Sequence, residues 1–329
     1  MIARNIQYGF WGVLLLLLQA CSKDSDIFVP DPVQADPVDS SWKIFITDTM
    51  PVSVLERAIQ LNPSTDTQTV QFGTPTVFVT ADGIQVRVDA GTLTQGGGTV
   101  ATGLLQAQIY WLKKKGDFIR AGVSTQNSAG ELLRFRSATS LNILKGSNSL
   151  QLLPGNVASV TLPMTPNSEV LSLQYRNQPD PLTFSWMNNP NPQQNFHTPG
   201  TLSYQIQTQL LGWMGLARPV LMNTSPARVE VQLPARFTNG NSAAWIMLQD
   251  GNTVCRMQAD VAGRKFRSQA MPGGVPITVV LISLQQGQYY YNRMNLVTPD
   301  DIPGGSVQTI QVNPATITSA DLLNQLNSL

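Results

Sequence analysis

The stretch Leu202-Ser-Tyr-Gln-Ile-Gln-Thr-Gln-Leu210 alternates side chains that favour burial with side chains that favour water. The same period of two occurs in residues 105–111 and 229–233. Successive side chains of a β-strand point to opposite faces of a sheet, so each stretch predicts a half-buried antiparallel strand. Residues 277–284 are mostly apolar, which predicts a strand that is covered on both faces.

Turn and helix signals indicate the same fold class. Asp-Gly pairs, which favour hairpin turns, separate neighbouring apolar stretches at Asp82-Gly83 and Asp250-Gly251. Helix signals are confined to residues 52–61 and 319–329. Many short strands with few helices predict an all-β protein of antiparallel β-sandwiches, with one short helix near 52–61 and another at the C-terminus.

The N-terminus carries a signal for location. Arg4 precedes an apolar run from Gly9 to Leu18, a pattern typical of a secretory signal peptide. The run is about half the ~20 residues that a membrane-spanning helix needs. The sequence Leu18-Gln-Ala-Cys21 resembles a bacterial lipobox. We therefore expect cleavage of a lipoprotein signal peptide at residues 1–20, acylation of Cys21 with fatty acids such as palmitate, and attachment to the outer membrane.

Residues 21–41 are predicted to be a lipidated tether. They contain several prolines, which stiffen a chain toward extended structure and so favour a spacer. The short acidic stretch Ser22-Lys-Asp-Ser-Asp26 resembles the surface-export signal of Bacteroidetes lipoproteins. A solvated tether is nearly as good an explanation of this stretch, so the exposure of the protein on the cell surface stays an open expectation.

The charge balance disfavours nucleic acid as a partner. Charged residues make up 12% of the 329 residues, with 21 Lys and Arg against 20 Asp and Glu. Cleavage after residue 20 removes Arg4 and leaves 20 charges of each sign (21 − 1 = 20). Binding to phosphate backbones needs a surplus of positive charge, which this chain lacks. Attachment to the membrane then depends on the acyl chains, each buried CH₂ contributing ~0.8 kcal/mol.

The length of the mature chain, 309 residues (329 − 20), favours two domains. Residues 177–200 are rich in proline and asparagine and have the composition of a linker. We therefore predict one β-sandwich at 42–176, an interdomain loop at 177–200 and a second β-sandwich at 201–329.

Few residues could support catalysis or metal binding. His197 is the single histidine and is predicted to lie in an exposed loop. Cys255 remains alone once Cys21 is acylated, and its surroundings predict a buried thiol. A histidine-based nucleophilic site or a zinc cluster is therefore disfavoured, and we expect no metal, no cofactor and no enzymatic activity. A carboxylate-based hydrolase stays the open enzymatic alternative, and the chain offers four glutamates for it: Glu56, Glu131, Glu169 and Glu230.

Aromatic residues provide the candidate ligand site. Trp186, Phe184 and Phe196 lie in or beside the proline-rich loop, where their rings could form a platform that stacks on sugars. The alternative is that they pack against the edges of the sandwiches, as aromatic side chains commonly do.

Several turn-and-strand motifs follow one another in a recognisable order. They are Gly98-Thr-Val-Ala-Thr-Gly103, Ile109–Gly122, Gly130-Glu-Leu-Leu133, Leu211-Gly-Trp-Met214, Val229–Pro234 and Gly287-Gln-Tyr-Tyr290. In these motifs the chain resembles a group of uncharacterised two-domain Bacteroidetes lipoproteins of the outer membrane or cell surface. The resemblance implies an all-β fold and that location, and no activity. Gly215-Leu-Ala217 stands where an Asn-Cys-Asp type of run would be expected.

Together these signals predict an outer-membrane lipoprotein that acts as a cell-surface binding or scaffolding protein with a protein or glycan partner. One alternative is a glycan-binding accessory of polysaccharide uptake, whose sugar platform would be built on Trp186. Another is a pilin-like subunit, since sandwich proteins can polymerise by donating strands.

Overall fold

The computed structural model describes residues 40–96, 98–177, 185–222, 224–299 and 305–329. The predicted signal peptide, Cys21, the tether up to residue 39 and Phe184 lie outside the described residues. Strands contain 49% of the residues and helices 8%. The all-β prediction is therefore confirmed.

The strands are numbered in chain order. Those up to Pro219 are β1 (Ser64–Val70), β2 (Thr76–Val79), β3 (Gln85–Val88), β4 (Leu93–Thr94), β5 (Gly103–Leu112), β6 (Leu133–Lys145), β7 (Asn148–Ser149), β8 (Gln151–Leu152), β9 (Ala158–Leu162), β10 (Ser172–Asn177), β11 (Ser185–Asn188), β12 (Phe196–Pro199), β13 (Tyr204–Thr208) and β14 (Gly212–Pro219). Those that follow are β15 (Pro226–Gln232), β16 (Ser242–Leu248), β17 (Val254–Arg256), β18 (Gln258–Asp260), β19 (Lys265–Arg267), β20 (Met271–Pro272), β21 (Pro276–Gln285), β22 (Gln288–Val297), β23 (Ser306–Gln311) and β24 (Ala315–Ile317).

Two antiparallel sheets form the first sandwich. Sheet I has the order β1-β5-β6-β14-β10-β11, with β7 added to β6, and sheet II has the order β12-β13-β9-β3-β2. The core between them contains Ile206 from sheet II and Met214 from sheet I. Strand β13 carries the alternating stretch of the sequence, and its Tyr204 and Ile206 are buried while Gln205 is exposed. The period of two therefore assigns the faces of this strand correctly.

Two further sheets form the second sandwich. Sheet III has the order β18-β19-β15-β20, with β23 joined to β15 in parallel, and sheet IV has the order β17-β16-β21-β22-β24. Val229 and Phe266 of sheet III meet Ile246 and Val279 of sheet IV in the core. Strand β21 is buried along its length except at its first residue, as the apolar stretch 277–284 predicts.

A third core joins the two sandwiches. It contains Phe135 and Trp186 from the outer face of sheet I, and Trp245 and Val280 from the outer face of sheet IV. Because sheet IV is covered on both sides, β16 and β21 have no solvated face. Residues Ser40–Leu329 accordingly form one compact unit.

Helix α3 (Ser319–Asn327) lies within its predicted segment, 319–329, and helix α1 (Pro51–Ala58) begins one residue before its predicted segment, 52–61. Each helix sends leucines into the third core, Leu55 from α1 and Leu322 and Leu326 from α3. The side chain of Thr318 accepts a hydrogen bond from the backbone N–H of Asp321 and caps α3. Among the described residues, no helix is long and apolar enough to span a membrane.

Helix α2 (Lys115–Arg120) is short and was not expected from the sequence. The Asp117 carboxylate accepts hydrogen bonds from the backbone N–H groups of Lys113 at 2.9 Å and Lys114 at 3.1 Å, which stabilises the N-terminus of the helix. Arg120 donates to the carbonyl of Ile59 at 3.0 Å and to Asn327 Oδ1 at 2.9 Å. The helix therefore connects the segment after α1 with the end of α3.

The change from the first sandwich to the second does not occur in residues 177–200. Strand β13 pairs with β9, and β14 pairs with β6, so both belong to the first sandwich. The chain enters the second sandwich between β14 and β15, at residues 220–225. In residues 185–200 of this range, the linker-like composition belongs to the edge strands β11 and β12 and the turn between them, because a proline at the end of an edge strand such as β12 leaves no ladder hydrogen bond unmade.

Candidate functional site

Trp186 is not available as a platform for sugars. It lies in β11, fully buried in the third core, with its ring centroid 4.6 Å from that of Phe135. Its indole N–H donates to the carbonyl of Ser124 at 2.9 Å. Phe196 lies in the edge strand β12 with 40% of its surface exposed. The expected platform of Trp186 and Phe196 is therefore wrong, since one ring is inside the protein and the other outside.

Burial affects the pKa values of the two remaining candidate residues, His197 and Cys255. His197 lies in β12 opposite Ile206, and not in a loop as predicted; burial lowers the pKa of its imidazole. Cys255 is buried between sheets III and IV, as expected from its sequence context. Burial raises the pKa of the Cys255 thiol to about 11, so the group is protonated at neutral pH.

Each of the four glutamates is held by a cation or an amide. Glu56 pairs with Arg256 at 2.5 Å, Glu131 accepts from Asn127 at 2.7 Å, and Glu169 pairs with Arg218 at 2.8 Å. Glu230 accepts from Lys265 at 2.7 Å and from Arg267 at 2.8 Å. Within the described parts of the chain, no cluster of three or more His, Cys, Asp or Glu side chains could hold a metal ion.

A cleft of about 610 Å³ lies between the two sandwiches. We call it the polar cleft, because eight of its fifteen lining residues carry a hydroxyl or an amide side chain. Its lining residues are Ile46, Gly122, Ser124, Gln126, Asn127, Ser128, Gly130, Ser185, Asn239, Ser242, Arg256, Met257, Gln258, Ala259 and Phe266. One wall is the loop between α2 and β6, and the opposite wall is formed by β17, β18 and β19.

Hydrogen bonds fix the first wall of the polar cleft. Asn127 Oδ1 accepts from the backbone N–H groups of Ala129 at 3.0 Å and Glu131 at 2.9 Å, which closes a tight turn. Thr125 is bonded to Val254 of β17 through both its backbone N–H, at 2.7 Å, and its hydroxyl, at 2.8 Å. The loop of the first sandwich is thus attached to a strand of the second.

The segment that precedes α1 closes the other end of the polar cleft. Asn239 exchanges two hydrogen bonds with the backbone of Lys43, at 2.7 and 2.8 Å. The Trp42 ring packs on Phe266 with the centroids 5.1 Å apart. Ile44 and Phe45 are 78% and 81% exposed, so two apolar side chains project into solvent beside this polar surface.

Among the described lining residues, Arg256 alone carries a charge. Its guanidinium pairs with Glu56 and lies 5.9 Å from the centre of the Trp245 ring. The carboxylate offsets the positive charge, so the polar cleft presents hydrogen-bond donors and acceptors without a net charge from its walls. Sequence reasoning missed this site because its two walls, a loop and a group of short strands, are far apart in the chain.

Comparison with known proteins found no protein-family model that matches the chain, and no curated protein that is similar to it.

Proposed function

We propose that this protein is a lipid-anchored binding protein of the bacterial outer membrane whose ligand occupies the polar cleft. The observation that carries the proposal is the cleft itself, about 610 Å³ in volume and lined by serine, asparagine and glutamine. Clefts of roughly 300–1,000 Å³ with a few convergent polar groups are the usual sites for small ligands.

The ligand that best fits these walls is a neutral glycan. Hydroxyl groups and side-chain amides both donate and accept hydrogen bonds, as the hydroxyl groups of a sugar do. Arg256 is already paired with Glu56, so an anionic ligand would find no unbalanced charge. Ile46 and Phe266 add apolar surface to the lining, suited to the faces of sugar rings. This proposal keeps glycan binding but moves it away from Trp186.

The anchor is supported by the sequence around Cys21. The lipobox-like Leu18-Gln-Ala-Cys21 follows an apolar signal, and the proline-containing tether ends next to Trp42, which packs beside the polar cleft. Labelling of growing cells with palmitate tests this part. The native chain should incorporate label and fractionate with the outer membrane, whereas Cys21→Ala should do neither. Equal labelling of the two chains would contradict the anchor.

Ligand binding is tested on a glycan array with three forms of the protein. Ser128 and Gln258 are both exposed and line the polar cleft, so Ser128→Ala combined with Gln258→Ala should spare the fold. We expect about tenfold weaker binding, because two hydrogen bonds are lost. The control combines Ser147→Ala with Gln85→Ala, two exposed residues of the first sandwich that do not line the cleft. The absence of any bound glycan, or equal binding by all forms, would refute the proposal.

A further inference from the structure

A second pocket, about 380 Å³ in volume, lies where the chain passes from the first sandwich to the second. We call it the arginine pocket. Its lining residues are Arg134, Arg218, Pro219, Val220, Leu221, Thr224, Leu248, Gln249, Asp250, Pro272, Val275 and Pro276. None of them lines the polar cleft.

Two arginines stand opposite each other at the base of the arginine pocket. Arg134 of β6 is the direct cross-strand partner of Arg218 of β14. Like charges in directly opposed positions of a sheet repel each other, so this arrangement costs free energy unless anions neutralise it. The protein supplies Asp250, 2.6 Å from Arg134, and Glu169, 2.8 Å from Arg218.

This neutralisation is incomplete. The Nε atoms of Arg134 and Arg218 are buried without an acceptor. Asp250 is largely exposed, and an ion pair with an exposed partner contributes little. Further positive charge is close by, because the Lys115 ammonium group bonds to the carbonyl of Gln249, a lining residue. The chain as a whole is nearly neutral, so this local surplus of cations is an unusual feature of its surface.

The walls of the arginine pocket are apolar. They consist mainly of prolines and branched aliphatic side chains, among them Val220, Leu248 and Val275. Leu221 lies in the wall with 66% of its surface exposed, so an apolar side chain stands where a ligand would enter. The pocket thus combines a cationic end with an apolar body.

We propose that the arginine pocket binds an organic carboxylate with an apolar chain, such as a medium-chain fatty acid. The carboxylate would lie between the guanidinium groups of Arg134 and Arg218 and accept charge-assisted hydrogen bonds from the N–H groups that Asp250 and Glu169 do not occupy. The hydrocarbon chain would lie against Val220, Val275 and the neighbouring prolines. A carboxylate in this position relieves the repulsion between the two arginines, and burial of its chain removes apolar surface from water.

The test is calorimetric titration of the purified protein with octanoate, octanol and acetate. Octanoate should bind at least about tenfold more tightly than octanol, which lacks the charge, and than acetate, which lacks the chain. Comparable binding of octanol would show that the arginines do not select the ligand. An absence of octanoate binding up to millimolar concentration would overturn the proposal.

Two kinds of variant locate the site. Arg218→Gln removes one guanidinium, and Leu221→Asp places a negative charge at the exposed mouth with little risk to the fold. Both should weaken octanoate binding by about tenfold or more, while Leu221→Asn should retain most of it.

The control for an added charge is Val77→Asp, which changes an exposed apolar residue on β2 that does not line the arginine pocket. Octanoate binding that is unchanged in both Arg218→Gln and Leu221→Asp would contradict the assignment. Glycan binding in the polar cleft should be unaffected by any of these changes.

Discussion

The backbone carbonyl of Leu326 occupies the position that a side chain on Gly116 would need. A Cβ atom built on Gly116 would lie 1.7 Å from Leu326 O and 2.7 Å from the carbonyl carbon. Helices α2 and α3 can therefore approach each other only because residue 116 is a glycine. The contact joins an element near the middle of the chain to its last helix.

Gly116→Ala should therefore destabilise the protein. Alanine is the better helix former by about 1 kcal/mol, so helix propensity alone predicts a gain in stability. The clash with Leu326 should instead cost about 2 kcal/mol or more, as overpacking of a close contact does. The free energy of unfolding in urea measures the sign of the effect. An increase in stability would show that α2 and α3 do not approach as described.

Trp186→Ala should lower the free energy of unfolding by about 3–5 kcal/mol, because it removes a large, fully buried side chain from the third core. Phe196→Ala, on the half-exposed edge strand β12, should change it by less than about 1 kcal/mol. Thermal and urea unfolding of both variants measure the difference. Similar small effects in the two variants would mean that Trp186 is on the surface after all.

Glu230 should give the protein a stability that depends on pH. Hydrogen bonds from Lys265, and then from Arg267 and Thr309, hold the pKa of the Glu230 carboxyl below its usual value. The folded state therefore binds this proton less readily than the unfolded state does. The stabilisation is complete above the unfolded pKa of about 4.3 and is lost as the pH falls through the lower, folded pKa.

Glu230→Gln tests this dependence. It should cost about 1–3 kcal/mol at neutral pH, since Lys265 and Arg267 lose their charged partner. It should also make unfolding less sensitive to pH below about 4.3. Asp89→Asn, which changes an exposed carboxylate paired with the exposed Arg87, is the control. An identical pH dependence for the native protein and Glu230→Gln would contradict the role of this network.

Cys255 should be unreactive in the folded protein. Its thiol is completely buried and its pKa is about 11, so little thiolate forms at neutral pH and reagents cannot reach it. In the Cys21→Ala chain, Ellman's reagent should detect one thiol after denaturation and react only slowly before it. Rapid reaction of the folded chain would place Cys255 on the surface.

Local periodicity predicted the fold class, several of the strands and two of the helices. The alternation around Tyr204 and Ile206 assigned the buried face of β13, and the apolar run at 277–284 identified β21 as a strand covered on both sides. These features are encoded within a few residues, so they can be read from a short window of sequence. Helix α2 was missed because three lysines and Gly116 resemble a turn, and its stability comes from Asp117 and the distant Asn327.

The domain boundary and the site depend on contacts between distant residues. The proline-rich flanks of Trp186 indicated a loop, whereas its ring packs in the core against Phe135, which lies on a strand 51 residues earlier. The two walls of the polar cleft, represented by Asn127 and Gln258, come from different sandwiches. The opposition of Arg134 and Arg218 follows from the register of β6 and β14. A short window of sequence cannot predict any of these three features, because each depends on residues that are far apart in the chain.

The measurement that tests the central proposal most directly is hydrogen–deuterium exchange with and without a glycan selected on the array. A glycan in the polar cleft should slow exchange in residues 122–130 and 254–259, which form its two walls, and should leave β1 and β2 unchanged. The Ser128→Ala and Gln258→Ala double variant should show little of this protection at the same glycan concentration. Protection confined to β12 around Phe196, with none in the two walls, would contradict the proposed site.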